Sequence, residues 1–150
     1  MLDSVKIMDA INRELVRQYP DYTVYLDLCP SNFERPSFLI EFITLSQDTA
    51  NLSTVNQTAY YTVTCYDVVD DYDHSDTTRL LRLQHGVMNL FRSGALDVDG
   101  RHIKVSASTG GRDWDRSYVD LQFSYYDDRS DAEDDTPLME RVYTNIKKED

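Results

Sequence analysis

Two stretches of the chain change character at every second residue, which is the period of a β-strand with one face buried. In residues 57–67 the two faces are Ala59-Tyr61-Val63-Cys65 and Tyr60-Thr62-Thr64-Tyr66. In residues 114–126 one face carries Val119, Leu121, Phe123 and Tyr125. Each face of residues 57–67 is only partly apolar. We therefore expect a sheet that packs one face on the core and leaves the other for a neighbouring molecule.

Two other stretches have the spacing of amphipathic helices. In residues 3–19 the apolar positions are Ile7, Met8, Ile11, Leu15 and Tyr19. Asp3 or Ser4 can cap this helix, and Pro20 ends it. In residues 76–92 the stripe is Leu80, Leu83, Val87, Leu90 and Phe91. Ser75 can cap this second helix, and Gly94 stands where a left-handed residue often follows a helix.

The remaining strands are shorter or less regular. Residues 22–27 alternate, and residues 37–45 are so apolar that we expect both faces to be covered, as in a central strand. Residues 46–54 read as a loop or a flexible hairpin arm. Asp99-Gly100 predicts a tight hairpin between residues 96–98 and 102–105. Thr109-Gly110-Gly111 is expected to break the chain before the last strand, and Trp114 either begins that strand or anchors a partner.

These elements predict an α+β fold, a mostly antiparallel β-sheet flanked by two α-helices in the order α-β-β-β-α-β-β-β plus a C-terminal tail. We expect the folded domain to span residues 1–126. Residues 127–136 form a linker rich in acidic residues, which cannot bury itself. Residues 137–150 regain apolar side chains, and such a segment docks on its own domain or on a neighbouring subunit.

Composition excludes several classes of function. The chain has 150 residues and a formal net charge of −12, and its basic residues are scattered, so it does not resemble a protein that grips nucleic acid or docks on anionic membranes. Its 11 tyrosines suit surfaces that become half buried on association, although β-rich chains favour Tyr as well. Cys29 and Cys65 are expected to be reduced core thiols of a protein made in a cytoplasm.

No pattern predicts an active site or a cofactor. The acidic cluster at Asp70, Asp71, Asp73 and Asp76 with His74 fails the spacing of a calcium loop, so we expect no metal there. His74, His85 and His102 have no paired ligand spacing. Gly110-Gly111 lacks the Lys and the following helix of a phosphate-binding loop. We therefore expect a protein that is not an enzyme.

The order of local motifs resembles the phage tail terminator family over almost the whole chain. An opening helix meets Tyr22-Thr23-Val24-Tyr25, and Pro36 precedes the aromatic-aliphatic strand Ser37-Phe38-Leu39-Ile40-Glu41-Phe42. Further motifs follow in order: Thr64-Cys65-Tyr66-Asp67, Leu96-Asp97-Val98-Asp99-Gly100, Leu121-Gln122-Phe123-Ser124-Tyr125-Tyr126 and Pro137-Leu138-Met139-Glu140. Relatives often have more basic residues where this chain has Tyr60, Tyr61 and Thr62.

The resemblance implies a structural virion protein of the tail or neck, made in the bacterial host cytoplasm. It implies a homo-hexameric ring that caps the tail tube protein, stops tube polymerisation and joins the tail to a head–tail connector or stopper protein. Genomic DNA would only pass through the lumen, whose acidic wall would repel phosphates. The candidate subunit or tube contacts are Tyr60, Tyr61, Thr62, Tyr66, Trp114, Leu138, Met139 and Tyr143.

Three other functions are compatible with the sequence. The chain could be another neck component, such as a head-completion or stopper protein, which would bind the portal side. It could be an acidic mimic of DNA that inhibits a nucleic-acid enzyme. It could also be a small enzyme, which would need a pocket that joins residues 70–76 to a distant base.

Overall fold

The computed structural model describes residues 2–128, and Leu138, Met139 and Tyr143 lie outside them. The elements follow the predicted order, and the α+β fold class is confirmed. They are α1 (Ser4–Gln18), β1 (Thr23–Leu26), β2 (Ser37–Thr49), β3 (Thr54–Tyr66), α2 (Thr77–Asn89), β4 (Ala95–Val98), β5 (Arg101–Arg112) and β6 (Arg116–Asp128).

All six strands form one sheet in the order β1-β2-β3-β6-β5-β4. Only β1 and β2 are parallel; every other neighbouring pair is antiparallel. The Asp99-Gly100 turn joins β4 to β5, with φ angles of 55° and 83°. Two successive residues at positive φ are what a two-residue hairpin turn requires, so this prediction is confirmed.

Both helices cover the same face of the sheet, which we call the helix face. Its core side chains come from alternate strand positions and from the inner stripes of the helices. They include Ile7, Ile11, Leu15, Phe38, Ile40, Tyr61, Val63, Leu83, Val87, Val119, Leu121 and Phe123. The opposite face has no helix among the described residues, and we call it the open face.

The helices begin where side chains satisfy their first free N–H groups. Asp3 accepts a hydrogen bond from the Lys6 amide at 2.9 Å and so caps α1. Of the two predicted caps, Asp3 and Ser4, Asp3 is the one observed. The predicted cap of α2 is wrong by one residue. Asp76 accepts from the Thr78 amide, whereas the Ser75 hydroxyl donates to the Val68 carbonyl at 2.8 Å and so fixes the preceding loop instead.

The expectation that β2 is covered on both faces is wrong for its second half. Phe38 and Ile40 are fully buried, but Phe42, Ile43 and Leu45 are 38%, 55% and 39% exposed. β1 pairs with β2 only as far as Ile40, so the second half of β2 also lacks a neighbouring strand on that side among the described residues. The second half of β2 forms a hairpin arm with β3, joined by residues 50–53. Of the two alternatives predicted for residues 46–54, a loop or a hairpin arm, the structure has the hairpin arm.

Two further expectations need correction. Thr109-Gly110-Gly111 does not break the chain; these residues lie within β5, where the register with β6 shifts between Thr109 and Gly111. Glycines in a strand interior often mark such a bulge. Cys65 is a buried, reduced thiol as expected, but Cys29 is free and only half buried, in the loop before β2.

Candidate subunit interface

The open face is divided into a covered end and a bare end. At the covered end, residues 28–36 fold over the sheet and place the Phe33 ring 4.5 Å from the Tyr66 ring, measured between centroids. At the bare end the open face carries Tyr60 and Thr62 of β3, Asp120 and Gln122 of β6, and Ser106 and Ser108 of β5. A surface for a partner therefore remains on one half of this face.

The covered end is held by two arginines. The guanidinium of Arg35 lies 4.6 Å from the Phe33 centroid, and that of Arg116 lies 4.8 Å from the Tyr66 centroid. Both arginines also pair with Asp115, each with a nitrogen 2.8 Å from a carboxylate oxygen. The hydrogen bond from Arg116, aided by Arg35, holds the pKa of Asp115 below its ordinary value. Tyr66 is only 4% exposed beneath this cluster, so little of its ring is available to a partner.

Tyr61 faces the core. It is 1% exposed, its ring packs edge-on against Phe42 and Phe123, and its hydroxyl donates to the Ser4 carbonyl at 2.8 Å. Burial raises the pKa of Tyr61 to about 12. The aromatic and aliphatic residues of this strand face therefore fix α1 on the sheet. Its neighbours Tyr60 and Thr62 are half buried and point to the open face.

A groove of about 640 Å³ runs across the bare end of the open face. Its side-chain lining includes Ile43, Tyr60, Thr62, Ser108, Asp120 and Gln122. The Thr62 hydroxyl donates to the Asp120 carboxylate at 2.9 Å. A β-bulge lies on each side of the groove, one between Phe42 and Thr44 and the other between Thr109 and Gly111. Bulges increase the local twist, which accounts for the concave shape.

Each outer strand of the sheet covers only part of its neighbour. β1 has 4 residues against the 13 of β2, and β4 has 4 against the 12 of β5. No described strand lies beside residues 41–49 of β2, which we call the β2 edge. The Val105 amide still donates to the Gly94 carbonyl at 3.0 Å, but no described strand lies beside residues 106–112, the β5 edge. A strand edge of this length presents unpaired backbone groups that can pair with another chain.

The two edges differ in charge. Glu41 and Asp48 lie on the β2 edge, whereas Arg112 ends the β5 edge and Lys104 lies two residues before its start. Neither Lys104 nor Arg112 has an ion-pair partner among residues 2–128. Sequence reasoning missed both edges because strand lengths alone do not tell which strands become neighbours.

Trp114 does not begin β6 but lies in the turn between β5 and β6. Its side chain is 61% exposed, and its carbonyl accepts a hydrogen bond from the Ser75 amide at 2.8 Å. The His74 ring is 6.5 Å away between centroids. Trp114 is thus held at one end of the sheet, while Leu52, at the tip of the β2–β3 arm, is 95% exposed at the other.

The acidic loop before α2 is held by hydrogen bonds between its own residues. The Asp70 carboxylate accepts hydrogen bonds from the Tyr72 and His74 amides, and these bonds lower its pKa. Within residues 2–128 no group of three or more His, Cys, Asp or Glu side chains is placed to hold a metal ion. None of the described helices has the length and apolar composition needed to cross a membrane.

Comparison with known families decides the assignment. A family model described as phage tail terminator protein matches residues 6–135, which is most of the chain. This chain belongs to the phage tail terminator family. It is therefore a structural component of a phage tail that interacts with other tail components. A search of curated proteins found no match.

The match includes both sheet edges and the groove, and it ends at residue 135, before Leu138, Met139 and Tyr143. Of the eight residues that the sequence suggested for contacts, the structure brings Tyr60 and Thr62 together beside the groove. It places Tyr61 in the core, Tyr66 beneath the arginine cluster and Trp114 at a distant turn of this tail terminator.

Proposed function

We propose that this tail terminator closes the end of a tail tube as a ring of six copies, with the β5 edge of each copy paired to the β2 edge of the next. The observation that carries the proposal is the pair of uncovered edges on opposite sides of one sheet. Each contact joins two different surfaces, which generates a ring when the rotation between copies closes.

Strand direction favours this pairing. β2 and β6 run one way and β3 and β5 run the other, because each neighbouring pair among these strands is antiparallel. Copies related by rotation about a ring axis therefore bring β5 and the neighbouring β2 together antiparallel, which continues the pattern inside the sheet. Closed barrels also require a stagger between strands. The two edges lie at different levels along β6. The β2 edge is level with Asp120–Asp127 and the β5 edge with Ser117–Gln122, which provides such a stagger.

Charge favours the same arrangement. The carboxylates of Glu41 and Asp48 would meet Lys104 and Arg112 across the joint, whereas a contact between two β2 edges would set like charges side by side. Charged groups at an edge also protect an isolated subunit from indiscriminate pairing.

In this ring the helices lie on the outside, since six helix pairs on the inside would fill the channel. The open face then lines the channel, and the net charge of −12 favours a wall that repels the phosphates of passing DNA. The turns that carry Leu52 and Trp114 lie at opposite axial ends of the subunit. We propose that one end contacts the last ring of tail tube protein and the other contacts the head–tail connector or stopper.

Charge reversal at the β5 edge tests this function. The double variant Lys104→Glu, Arg112→Glu should fail to cap purified tail tubes, so tube length would no longer be limited. The matched control Arg82→Glu, Arg92→Glu makes the same change in charge on exposed residues outside the edges and should cap normally. Equal capping by both variants would refute the edge contact. Capping of portal-side complexes instead of tubes would favour a stopper.

A further inference from the structure

We propose that the groove on the open face binds the C-terminal segment of the same chain, residues 137–146. This inference does not depend on the ring, because it concerns a contact within one molecule. The groove, of about 640 Å³, lies on the half of the open face that residues 28–36 leave bare. At the other half, this fold already covers its sheet with an irregular segment that places Phe33 on Tyr66.

The chain is long enough to make the contact. The described part ends at Asp128, which pairs with Thr54 at one end of the sheet. Residues 129–136 can span at most about 26–29 Å when extended. Asp120, in the groove, lies on the same strand about 26 Å back at the rise of a β-strand. Pro137 can therefore reach the groove of its own molecule.

The path from the chain end to the groove is marked by exposed apolar side chains. Tyr126 is 61% exposed and lies on the open face two residues before the end of β6. Beyond it come the half-buried Tyr60 and the Ile43 side chain, which is 55% exposed. The five apolar residues of the segment are Leu138, Met139, Val142, Tyr143 and Ile146. Met adapts to irregular apolar surfaces, and Tyr can bury its ring while its hydroxyl stays near polar groups.

Charge favours the apolar segment over the acidic residues that precede it as the occupant of the groove. The Asp120 carboxylate accepts a hydrogen bond from the Thr62 hydroxyl. It forms no ion pair with any described residue. Residues 137–146 carry one cation, Arg141, and one acid, Glu140, so their net charge is zero. Residues 131–135 carry four acids and no base, so Asp120 repels them and they serve as the tether in this proposal. The apolar segment, and not the acidic one, is thus matched to the groove.

Disulfide trapping in the full chain tests the contact. Ser108→Cys on the groove wall is combined with Val142→Cys in a Cys29→Ser background; the native Cys65 is fully buried and does not compete. We expect a disulfide within one chain, seen as a monomer that has lost two hydrogens by mass spectrometry. The control pairs Val142→Cys with His85→Cys, which is exposed on α2. Equal yields in both proteins, or disulfide-linked dimers alone, would overturn the proposal.

Proteolysis gives a second readout without cysteines. Filling the groove with Ser106→Trp should release the segment and speed tryptic cleavage after Arg141 about tenfold, since proteolysis follows local opening. The matched variant Ser93→Trp places the same side chain at an exposed site after α2 and should leave the rate unchanged. Identical cleavage rates in wild type and Ser106→Trp would contradict an occupied groove.

Discussion

The hydroxyl of Tyr19, just after α1, fills the space beside Gly86 in α2 that the Cβ atom of any other residue would occupy. The two helices approach each other here, on the helix face of the sheet. A glycine inside a helix costs about 1 kcal/mol relative to alanine. Its presence in α2 is explained by this contact with Tyr19.

Gly86→Ala is therefore expected to lower the free energy of unfolding, because the added methyl group displaces Tyr19. In a Tyr19→Phe background the same substitution should raise it by up to about 1 kcal/mol, because only the intrinsic helix preference remains. Urea unfolding of the four proteins of this double-mutant cycle measures the coupling. A destabilisation of equal size in both backgrounds would show that the hydroxyl is not the obstacle.

The sequence allowed the fold class and the element order to be predicted because the decisive signals were local. The stripe of α1, the alternation in β6 and the Asp99-Gly100 turn each depend on residues close together in the chain. The exposed second half of β2 could not be predicted in this way. What covers its two faces, and how far β1 pairs with it, depends on contacts distant in sequence.

The surroundings of the candidate contact residues were harder to predict for the same reason. Alternation separated Tyr60 and Thr62 from the core face but could not show that residues 28–36 bury Tyr66, which lies on the same face as they do. Nor could it show that Thr109-Gly110-Gly111 forms a bulge within β5, because a glycine pair is equally typical of a turn.

Acid should destabilise the protein partly through Asp115. The arginine hydrogen bonds lower the pKa of Asp115 in the folded state, so its carboxylate stabilises the fold above the unfolded-state pKa of about 4. This contribution is lost as the pH falls through the lower, folded-state value. Asp115→Asn should therefore lose less stability than wild type between pH 5 and pH 2, roughly the range over which such a group titrates. Unfolding followed by circular dichroism across that range is the measurement.

The exposed Asp71 provides the control for this pH dependence. It makes no hydrogen bond or ion pair among the described residues, so Asp71→Asn should reproduce the wild-type profile. If Asp115→Asn also followed the wild-type profile, the arginine cluster would not be responsible for acid sensitivity.

High pH should lower the stability of the fold by ionising the buried Tyr61. Burial raises the pKa of Tyr61 to about 12 in the folded state, whereas an unfolded tyrosine ionises near about pH 10. Stability from the neutral phenol is complete below the unfolded-state pKa and is lost as the pH rises through the folded-state value. Tyr61→Phe should therefore be less stable than wild type at neutral pH but lose less stability above about pH 10. Thermal melts at several pH values measure both effects.

Tyr72 is the matched control, since its ring is 81% exposed. Tyr72→Phe should change neither the stability at neutral pH nor its alkaline decline. A Tyr61→Phe protein that declined as steeply as wild type would place the sensitive group elsewhere.

Removal of residues 137–150 should affect assembly more than folding. The core of the described residues is formed by the sheet and two helices, and the groove lies on the opposite, open face. We expect a change of only a few degrees in the melting temperature of the monomer, because a domain of this size shifts by roughly 4 °C per kcal/mol. Removal leaves the groove uncovered in each subunit, so we expect weaker contacts with neighbouring subunits or neck proteins, measured by co-sedimentation with tail tubes. A large loss of melting temperature would contradict this prediction.

Electron microscopy of tail tubes mixed with this protein is the most direct test of the ring. The account predicts a single six-fold ring at one end of each tube, with the helices outside and continuous β-structure across each subunit joint. Bare tube ends in the presence of excess protein, or rings whose subunits meet through their helices, would contradict it.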